Sequence, residues 1–208
     1  MIKNIFFDFD GVILDSMPIR DKGFEEMVSK YTKDEKIIEE FLEFHRYNAG
    51  LSRFFKFRYF FEKMLKKDIS EKIILELASD FSEIMKRELT NKKYLIKETV
   101  DFIMNNYEKY NMYIVSGSEQ NELRYLCKEL GIADYFKIIL GSPTHKNDLV
   151  KNIISQEGLN IKECILIGDS INDYDSAIAN GINFYGYNNE KLKENSNFYI
   201  STFKSFKL

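Results

Sequence analysis

Two aspartates, Asp8 and Asp10, follow an apolar run near the start of the chain, in the segment DFDGV. An aspartate after a strand is often only a turn or capping residue. However, side chains two residues apart in an extended segment point to the same side, and ligands of parallel sheets bind at the carboxyl ends of the strands. The pair therefore indicates either an ordinary turn or half of an acidic site.

A second acidic group, containing Asp169 and Asp173, follows the apolar run CILIG. Two neighbouring strand ends would bring both acidic groups to one place. Carboxylates at close range raise one another's pKa, so a cation is needed to balance them. Mg²⁺ prefers octahedral oxygen ligands and keeps positions for water and a substrate phosphate. The sequence therefore predicts a Mg²⁺ site at this edge of the sheet.

Two further strand ends carry groups that could hold a phosphoryl group. Ser116 and Gly117 follow the run MYIV, and a small-residue turn there would let backbone N–H groups approach phosphate oxygens closely. Lys146 follows the run FKIIL and could neutralise charge on the phosphoryl group and on Asp8. Each of these signals is weak alone. However, chance is a poor explanation for four predicted strand ends that each carry a group suited to this chemistry.

Short apolar runs that alternate with helical patterns must position these residues. The predicted strands cover 3–8, 112–115, 136–140, 164–167 and 182–187, with a last strand in the tail, and the predicted helices cover 98–110, 119–130, 147–156 and 173–180. Strands alternating with helices are typical of βαβ units in a parallel sheet with helices on both faces. The predicted fold class is α/β, with a Rossmann-like three-layer core.

The interval between the first two strands, residues 17–91, shows helical periodicity and is too long for one crossover helix. Four helices are predicted there, at 18–31, 34–47, 52–66 and 70–89. We therefore expect an inserted α-helical cap domain over residues 16–91, with residues 1–15 and 92–208 forming the core domain. Hinges are expected near 14–17 and 91–95.

Composition limits the function classes. The chain has 208 residues, 44% of them hydrophobic and 30% charged, which fits a soluble globular protein and excludes disordered and collagen-like chains. Its net charge of −3 and its dispersed lysines predict neither a nucleic acid nor a membrane as partner. Asp8 and Asp10 interrupt the apolar start, and no apolar stretch approaches the ~20 residues that span a bilayer. We expect a cytoplasmic protein.

The two cysteines, Cys127 and Cys164, lie in a helical and a strand-like pattern respectively. We interpret both as small buried residues in a reducing compartment rather than as a disulfide. With two histidines and no close Cys/His pair, a zinc site is not expected.

The chemical motifs resemble those of the haloacid dehalogenase superfamily of hydrolases. The four motifs of that superfamily correspond to DFDGV (Asp8–Val12), IVSGS (Ile114–Ser118), Lys146 and GDSINDYDSA (Gly168–Ala177). The resemblance covers the whole chain, and the first and fourth motifs are specific when they occur together. The predicted helical insertion falls where relatives such as phosphoglycolate phosphatase and β-phosphoglucomutase carry a helical cap.

The resemblance implies a role for each motif residue. Asp8 would attack phosphorus to form an aspartyl phosphate, and Asp10 would protonate the leaving oxygen and later activate water. Ser116 and Gly117 of the second motif, together with Lys146, would hold the transferring phosphoryl group.

The same resemblance implies a metal site. Asp8, the main-chain carbonyl of Asp10 and Asp169 would ligate Mg²⁺, and Asp173 would join them directly or through a water. Despite the superfamily name, dehalogenation is not expected, since dehalogenases of this type lack an acid at the position of Asp10.

Cap residues are expected to select the substrate. The segment NAGLSRFFKF (48–57) resembles the cap loop that closes over the substrate, which makes Arg53 a candidate grip for a second anionic group. The alternative is that Arg53 is an exposed helix residue. Arg20 and Lys56 are further candidates.

The sequence therefore predicts a Mg²⁺-dependent phosphatase, monomeric or weakly dimeric, acting on a small phosphorylated metabolite such as a sugar phosphate or phosphoglycolate. One alternative is a phosphomutase of the β-phosphoglucomutase type, although those enzymes carry a histidine where Arg20 stands. Another is a receiver-like phosphoacceptor signalling domain, although receivers have their acceptor aspartate in mid-chain and no helical insertion. A catalytically silent binding protein of the same fold is the third.

Overall fold

A computed structural model describes residues 1–208 and contains one parallel sheet. Its strands are β1 (Asn4–Phe7), β2 (Asn111–Glu119), β3 (Ile138–Ser142), β4 (Cys164–Gly168), β5 (Asn183–Tyr187) and β6 (Phe198–Ile200). The six strands lie in the order β3-β2-β1-β4-β5-β6. The run NIFF of β1 is buried throughout, as expected for a strand whose two faces are both covered.

Helices cover both faces of the sheet, which confirms the predicted three-layer α/β core. The helices that follow β1 are α1 (Met17–Val28), α2 (Glu35–Tyr47), α3 (Arg53–Tyr59) and α4 (Glu71–Leu89), and those further along the chain are α5 (Lys97–Asn106), α6 (Gln120–Glu129), α7 (Lys146–Gln156) and α8 (Ile171–Ala179). Alternate β1 side chains belong to different clusters: Phe6 packs with α7 and α8, whereas Ile5 and Phe7 belong to the larger cluster on the other face.

The first four helices after β1, α1–α4, pack around Phe24. The ring centroid of Phe24 lies 5.6 Å from that of Phe41, 5.4 Å from that of Phe57 and 4.3 Å from that of Phe81. These rings belong to the same buried cluster as the residues on the α5 and α6 face of the sheet. The division of the chain into a core and a 16–91 cap domain stays a prediction.

Three local predictions differ from the structure. The helix predicted at 52–66 is α-helical only to Tyr59 and continues as a π-helix over Phe60–Met64. The second strand does not end before Ser116, because a register shift between Val115 and Glu119 keeps it paired with β3. The third strand begins at Ile138 instead of Phe136, because a 3₁₀ turn at Ala133–Tyr135 precedes it.

Two global expectations agree with the structure. Cys127 and Cys164 are both free and buried. No helix combines the length and apolar character that crossing a membrane requires.

Candidate active site

Asp8 lies at the carboxyl end of β1 and is 3% exposed. Its backbone N–H donates to the carbonyl of Ile167 on β4 at 2.9 Å. Its Oδ1 accepts a hydrogen bond from the N–H of Phe9 at 2.8 Å and lies 2.9 Å from Nζ of Lys146. Burial and then the charge of Asp173 raise the pKa of Asp8 to about 7, although Lys146 acts in the opposite direction. Asp8 is therefore an aspartate fixed in position at the sheet edge.

Asp169 follows β4 directly and lies against the turn that carries the first motif. A Cβ atom at Gly11 would lie 2.0 Å from Oδ2 of Asp169, and Gly11 has a φ of +79°, so only glycine fits there. The main-chain carbonyl of Asp169 accepts a hydrogen bond from Asn189 at 2.8 Å. Its Oδ1 is buried without a hydrogen-bond partner. Burial and then the charge of Asp8 raise the pKa of Asp169 well above its usual value.

Asp173 is held by the first turn of α8. The Ser170 hydroxyl donates to its Oδ2 at 2.6 Å, and the Ser170 N–H donates to the same oxygen at 3.0 Å. The Asp173 N–H in turn donates to the Ser170 hydroxyl oxygen at 3.3 Å. Together with the bond from the Ser170 N–H, this contact forms a capping box, which explains why α8 begins here. The other oxygen, Oδ1, contacts the ammonium group of Lys146, so both oxygens of Asp173 are engaged.

The structure brings together three of the acidic residues that the sequence singled out. One carboxylate oxygen each of Asp8, Asp169 and Asp173 lies within 4.8 Å of the others. Lys146, the first residue of α7, is the cation that contacts this group, through Asp8 and Asp173. One lysine does not balance three carboxylates: Oδ1 of Asp169 has no hydrogen-bond partner, and the pKa values of Asp8 and Asp169 are raised. This donor set fits a hard divalent cation.

The side chain of Asp10 is not part of this acidic group. Its Oδ1 accepts from the Ser16 hydroxyl and from Nε of Arg20 at 2.7 Å, and its Oδ2 accepts from the Ser118 hydroxyl at 2.6 Å. Burial acts to raise the pKa of Asp10, but Arg20 and the two hydroxyl donors outweigh it and hold the pKa below its usual value. In this arrangement Asp10 is therefore ionised.

Ser116 and Gly117 lie in the irregular end of β2 rather than in a free turn. Ser116 is 1% exposed, and its Oγ accepts a hydrogen bond from the Ser118 N–H at 3.0 Å. A Cβ atom at Gly117 would lie 2.4 Å from the carbonyl oxygen of Gly50, in the loop before α3. Glycine is thus required where this loop contacts the second motif.

Arg20 and Arg53 both reach a carboxylate that the sequence reasoning missed, Glu122 on α6. Nη1 of Arg20 lies 3.2 Å from Oε1 of Glu122, and Nη1 of Arg53 lies 2.5 Å from Oε2. Arg53 also donates to Ser82 on α4 at 2.8 Å, and Arg20 donates to Ser118 at 2.8 Å. Because Arg53 is 3% exposed, the alternative of an exposed helix residue is wrong.

Lys56 lies near the two arginines and is also buried. Its Nζ lies 2.9 Å from Nδ1 of His45 and donates to the carbonyl of Ala49 at 3.2 Å. Burial and then the positive charge of Arg20 lower the pKa of Lys56 to about 7. Burial and Lys56 hold the pKa of His45 far below its usual value, so His45 is neutral and accepts from Lys56.

The space between these groups is small. A cavity of about 20 Å³ lies among side chains that include Asp10, Arg20 and Arg53, enough for about one water molecule. Two larger cavities border the same region: one of about 630 Å³ reaches Asp169, and one of about 400 Å³ reaches Lys146.

Sequence reasoning missed Ser16 and Glu122, and it named Ser118 only as the last residue of the second motif, without a role. Glu122 had a usable signal, because it precedes Leu126 by four residues and thus lies on the buried stripe of α6. A carboxylate on such a stripe needs a buried partner. Ser16 had no comparable signal, since a hydroxyl is common in loops and turns.

Comparison with known proteins identifies the family of this chain. A family model described as haloacid dehalogenase-like hydrolase matches residues 5–187. A 5'-nucleotidase from Pseudomonas aeruginosa is 28% identical over 78 residues, a match that covers 35% of this chain and 35% of that protein. This match therefore spans only about a third of that relative.

Solved structures resemble the chain over nearly its whole length. A β-phosphoglucomutase from Clostridium difficile has a TM-score of 0.81 at 19% identity, covering 100% of this chain and 94% of that chain. CbbY from Rhodobacter sphaeroides, in complex with xylulose-(1,5)bisphosphate, has a TM-score of 0.79 at 13% identity, covering 99% and 96%. A predicted phosphoglycolate phosphatase from Haemophilus somnus has a TM-score of 0.73 at 16% identity, covering 97% and 95%. At these identities the similarity shows a shared fold.

Proposed function

Because this chain belongs to the haloacid dehalogenase-like hydrolase family, we propose that it is a Mg²⁺-dependent phosphatase with Asp8 as its nucleophile. The observation that carries the proposal is the convergence of Asp8, Asp169, Asp173 and Lys146 at one edge of the sheet. No other group of three or more acidic, histidine or cysteine side chains in the chain is close enough to hold a metal ion.

The chemistry proceeds in two displacements. A carboxylate oxygen of Asp8 attacks phosphorus, the bond from phosphorus to the ester oxygen breaks, and Asp10 gives a proton to that leaving oxygen. Asp10, now ionised, then takes a proton from a water that attacks the aspartyl phosphate, which releases inorganic phosphate and restores Asp8. Lys146, with the hydroxyl of Ser116 and the backbone at Gly117, holds the phosphoryl oxygens throughout.

Arg20 affects the protonation state of Asp10, and the two steps need different protonation states. Its contact with Asp10 favours the ionised carboxylate, which suits the second step. The first step needs a protonated Asp10, so this contact must loosen when the substrate binds. Since the cavity beside Asp10 holds about one water, binding also requires α1–α4 to move away from the sheet edge.

The proposed Mg²⁺ is held by Asp8, Asp169 and the main-chain carbonyl of Asp10, with Asp173 beside them. When bound, it supplies positive charge that lets Asp8 stay ionised and that offsets the charge of the phosphoryl group. The buried, unpartnered oxygen of Asp169 supports this assignment.

The proposed substrate is a small phosphate ester, because the cavity beside Asp10, under the helices α1–α4, holds only about one water molecule. The complex of the Rhodobacter sphaeroides relative with xylulose-(1,5)bisphosphate supports a substrate of this size. A cytoplasmic location and a monomer or weak dimer stay predictions.

The test is phosphate release from a panel of phosphorylated metabolites, with Mg²⁺ and with the metal chelated. We expect turnover that needs the metal and that Asp8→Asn abolishes. Asp80→Asn, which changes an exposed aspartate of α4, is the matched control and should retain activity. Full turnover by the Asp8→Asn protein would refute the mechanism.

A phosphomutase is the second candidate, because the β-phosphoglucomutase fold superposes on the whole chain with a TM-score of 0.81. Such an enzyme would return the phosphoryl group to another hydroxyl of the substrate rather than to water. Phosphorus NMR separates the two: a rearranged ester without inorganic phosphate indicates the mutase, and inorganic phosphate indicates the phosphatase.

A further inference from the structure

Glu122 is a buried carboxylate that the proposed chemistry does not use. It is fully buried on α6, and its two oxygens contact two different arginines, Arg20 on α1 and Arg53 on α3. These are the residues that the sequence offered as binding groups for a second anion of the substrate. Glu122 already forms an ion pair with each of these two arginines.

The fixed charges around the small cavity therefore balance. Arg20 contacts both Asp10 and Glu122, and Arg53 contacts Glu122. With Asp10 ionised, as it is in this structure, two guanidinium groups face two carboxylates, which leaves no surplus positive charge for a further anion. Protonation of Asp10 in the first step releases only Arg20, because Arg53 stays paired with Glu122. A second phosphate or carboxylate on the substrate would have to share Arg53 with Glu122, in a buried place where like charges repel strongly.

Lys56 adds only part of a positive charge to this balance at neutral pH. It is buried with its ammonium group against neutral His45, and burial lowers the pKa of Lys56 to about 7. Hence Lys56 does not supply the full positive charge that a second anionic group would need.

Arg53 retains an unpaired donor. Nε of Arg53 is buried without a hydrogen-bond partner, and Arg53 lines the cavity. A neutral acceptor, such as a hydroxyl or carbonyl oxygen, would satisfy this donor without adding charge.

We propose that Glu122 determines specificity, restricting the substrates to phosphomonoesters whose leaving group carries hydroxyl or carbonyl oxygens but no second anionic group. This inference rests on the proposed phosphatase function and narrows its substrate class. It also reverses the expectation that Arg53 grips a second anion.

The test compares two esters of similar size that differ in one group: 2-hydroxyethyl phosphate and 2-phosphoglycolate. For the wild-type protein we expect kcat/KM to be about tenfold or more lower for 2-phosphoglycolate, since tenfold corresponds to a modest repulsion between like charges. Glu122→Gln keeps the shape of the side chain and removes its charge, so the two values should come within about threefold of each other. Glu122→Asp keeps the charge and should keep the discrimination.

Glu129→Gln, at an exposed position of the same helix, is the matched control and should leave the ratio unchanged. A wild-type ratio near one, or an unchanged ratio in Glu122→Gln, overturns the inference. If Glu122→Asp brought the two kcat/KM values as close together as Glu122→Gln does, the inference would also be overturned, because packing rather than charge would then be responsible. If Glu122→Gln does not fold, the wild-type ratio decides alone.

A binding measurement separates this inference from the proposed function. The affinities of both esters for the Asp8→Asn protein can be measured by calorimetry without turnover. Weaker binding of 2-phosphoglycolate that becomes equal in the Asp8→Asn/Glu122→Gln protein would support the role of Glu122 even if no ester were hydrolysed. Equal binding by the Asp8→Asn protein itself would refute that role even if the protein were a phosphatase.

Discussion

The ammonium group of Lys146 lies 2.9 Å from Oδ1 of Asp8, and Lys146 is 4% exposed. The same group contacts Asp173, so one buried cation joins the ends of β1 and α8. Because the carboxylates are also buried, they depend on this cation when no metal is bound. Lys146 therefore stabilises the fold as well as holding the substrate in the proposed reaction.

Replacing Lys146 with methionine should lower the free energy of unfolding by about 3 kcal/mol, because buried carboxylates would lose their positive partner. Chemical denaturation without metal measures this. Lys151→Met, at an exposed position of α7, should change the stability by about 0.5 kcal/mol or less. Equal stabilities of the two variants would show that the contact of Lys146 with Asp8 and Asp173 contributes nothing to folding.

Added Mg²⁺ should stabilise the protein, because it binds the acidic group only in the folded state. At a concentration one hundred times its dissociation constant, the gain is about 2.7 kcal/mol. Asp169→Asn should abolish most of this gain, since it removes a ligand charge at constant size. Thermal unfolding across a Mg²⁺ titration measures both.

The control for this titration is Asp175→Asn, which changes an exposed aspartate of α8 close to the site. It should respond to Mg²⁺ as the wild type does. If added Mg²⁺ stabilised the Asp169→Asn protein as much as the wild type, the ion would bind elsewhere.

Gly11→Ala tests the contact between the first motif and Asp169. The added Cβ would lie 2.0 Å from Oδ2 of Asp169, at a φ of +79°. The left-handed backbone alone costs about 1–2 kcal/mol, and the overlap adds about 1–3 kcal/mol. Gly158→Ala isolates the first contribution, because Gly158 has a φ of +60° and no atom within 4 Å of its added Cβ.

Chemical denaturation of both glycine variants measures how much stability each loses, and the difference between the two losses is the cost of the overlap with Asp169. The Mg²⁺ affinity of each variant is measured as well. Only Gly11→Ala should weaken Mg²⁺ binding, since only there is the Asp169 carboxylate displaced. Equal losses in the two variants would mean that backbone strain explains both.

Local sequence patterns were sufficient to predict the parallel sheet and the convergence of Asp8, Asp169 and Lys146 at one edge of it. Buried parallel strands read as continuous apolar runs, and their carboxyl ends meet at one edge, so residues just after such runs must be neighbours. The β2 bulge was not predictable, because its register depends on pairing with β3. The π-helical turn at Phe60–Met64 was not predictable either, since helical periodicity does not distinguish it from an α-helical turn.

The contacts of Arg20 and Arg53 with Glu122 depend on longer-range packing. They join side chains of α1 and α3 to a side chain of α6, and the residues involved are 69 to 102 positions apart. No periodicity in the sequence specifies which residue of α6 these arginines reach. Sequence reasoning could therefore identify both arginines as candidates but could not show that a buried carboxylate already pairs with them.

Lys56→Met tests the burial of Lys56 through the pH dependence of stability. Burial lowers the pKa of Lys56 from 10.5 to about 7, so between these values the unfolded chain holds a proton that the folded protein has released. Stability due to this group therefore rises with pH in that range and is lowest below pH 7. The free energy of unfolding of the wild type, relative to Lys56→Met, should increase by about 2.7 kcal/mol from pH 6 to pH 9. Lys63→Met, at an exposed position, should show no such change, and parallel pH curves for the wild type and Lys56→Met would mean that Lys56 stays charged in the folded protein.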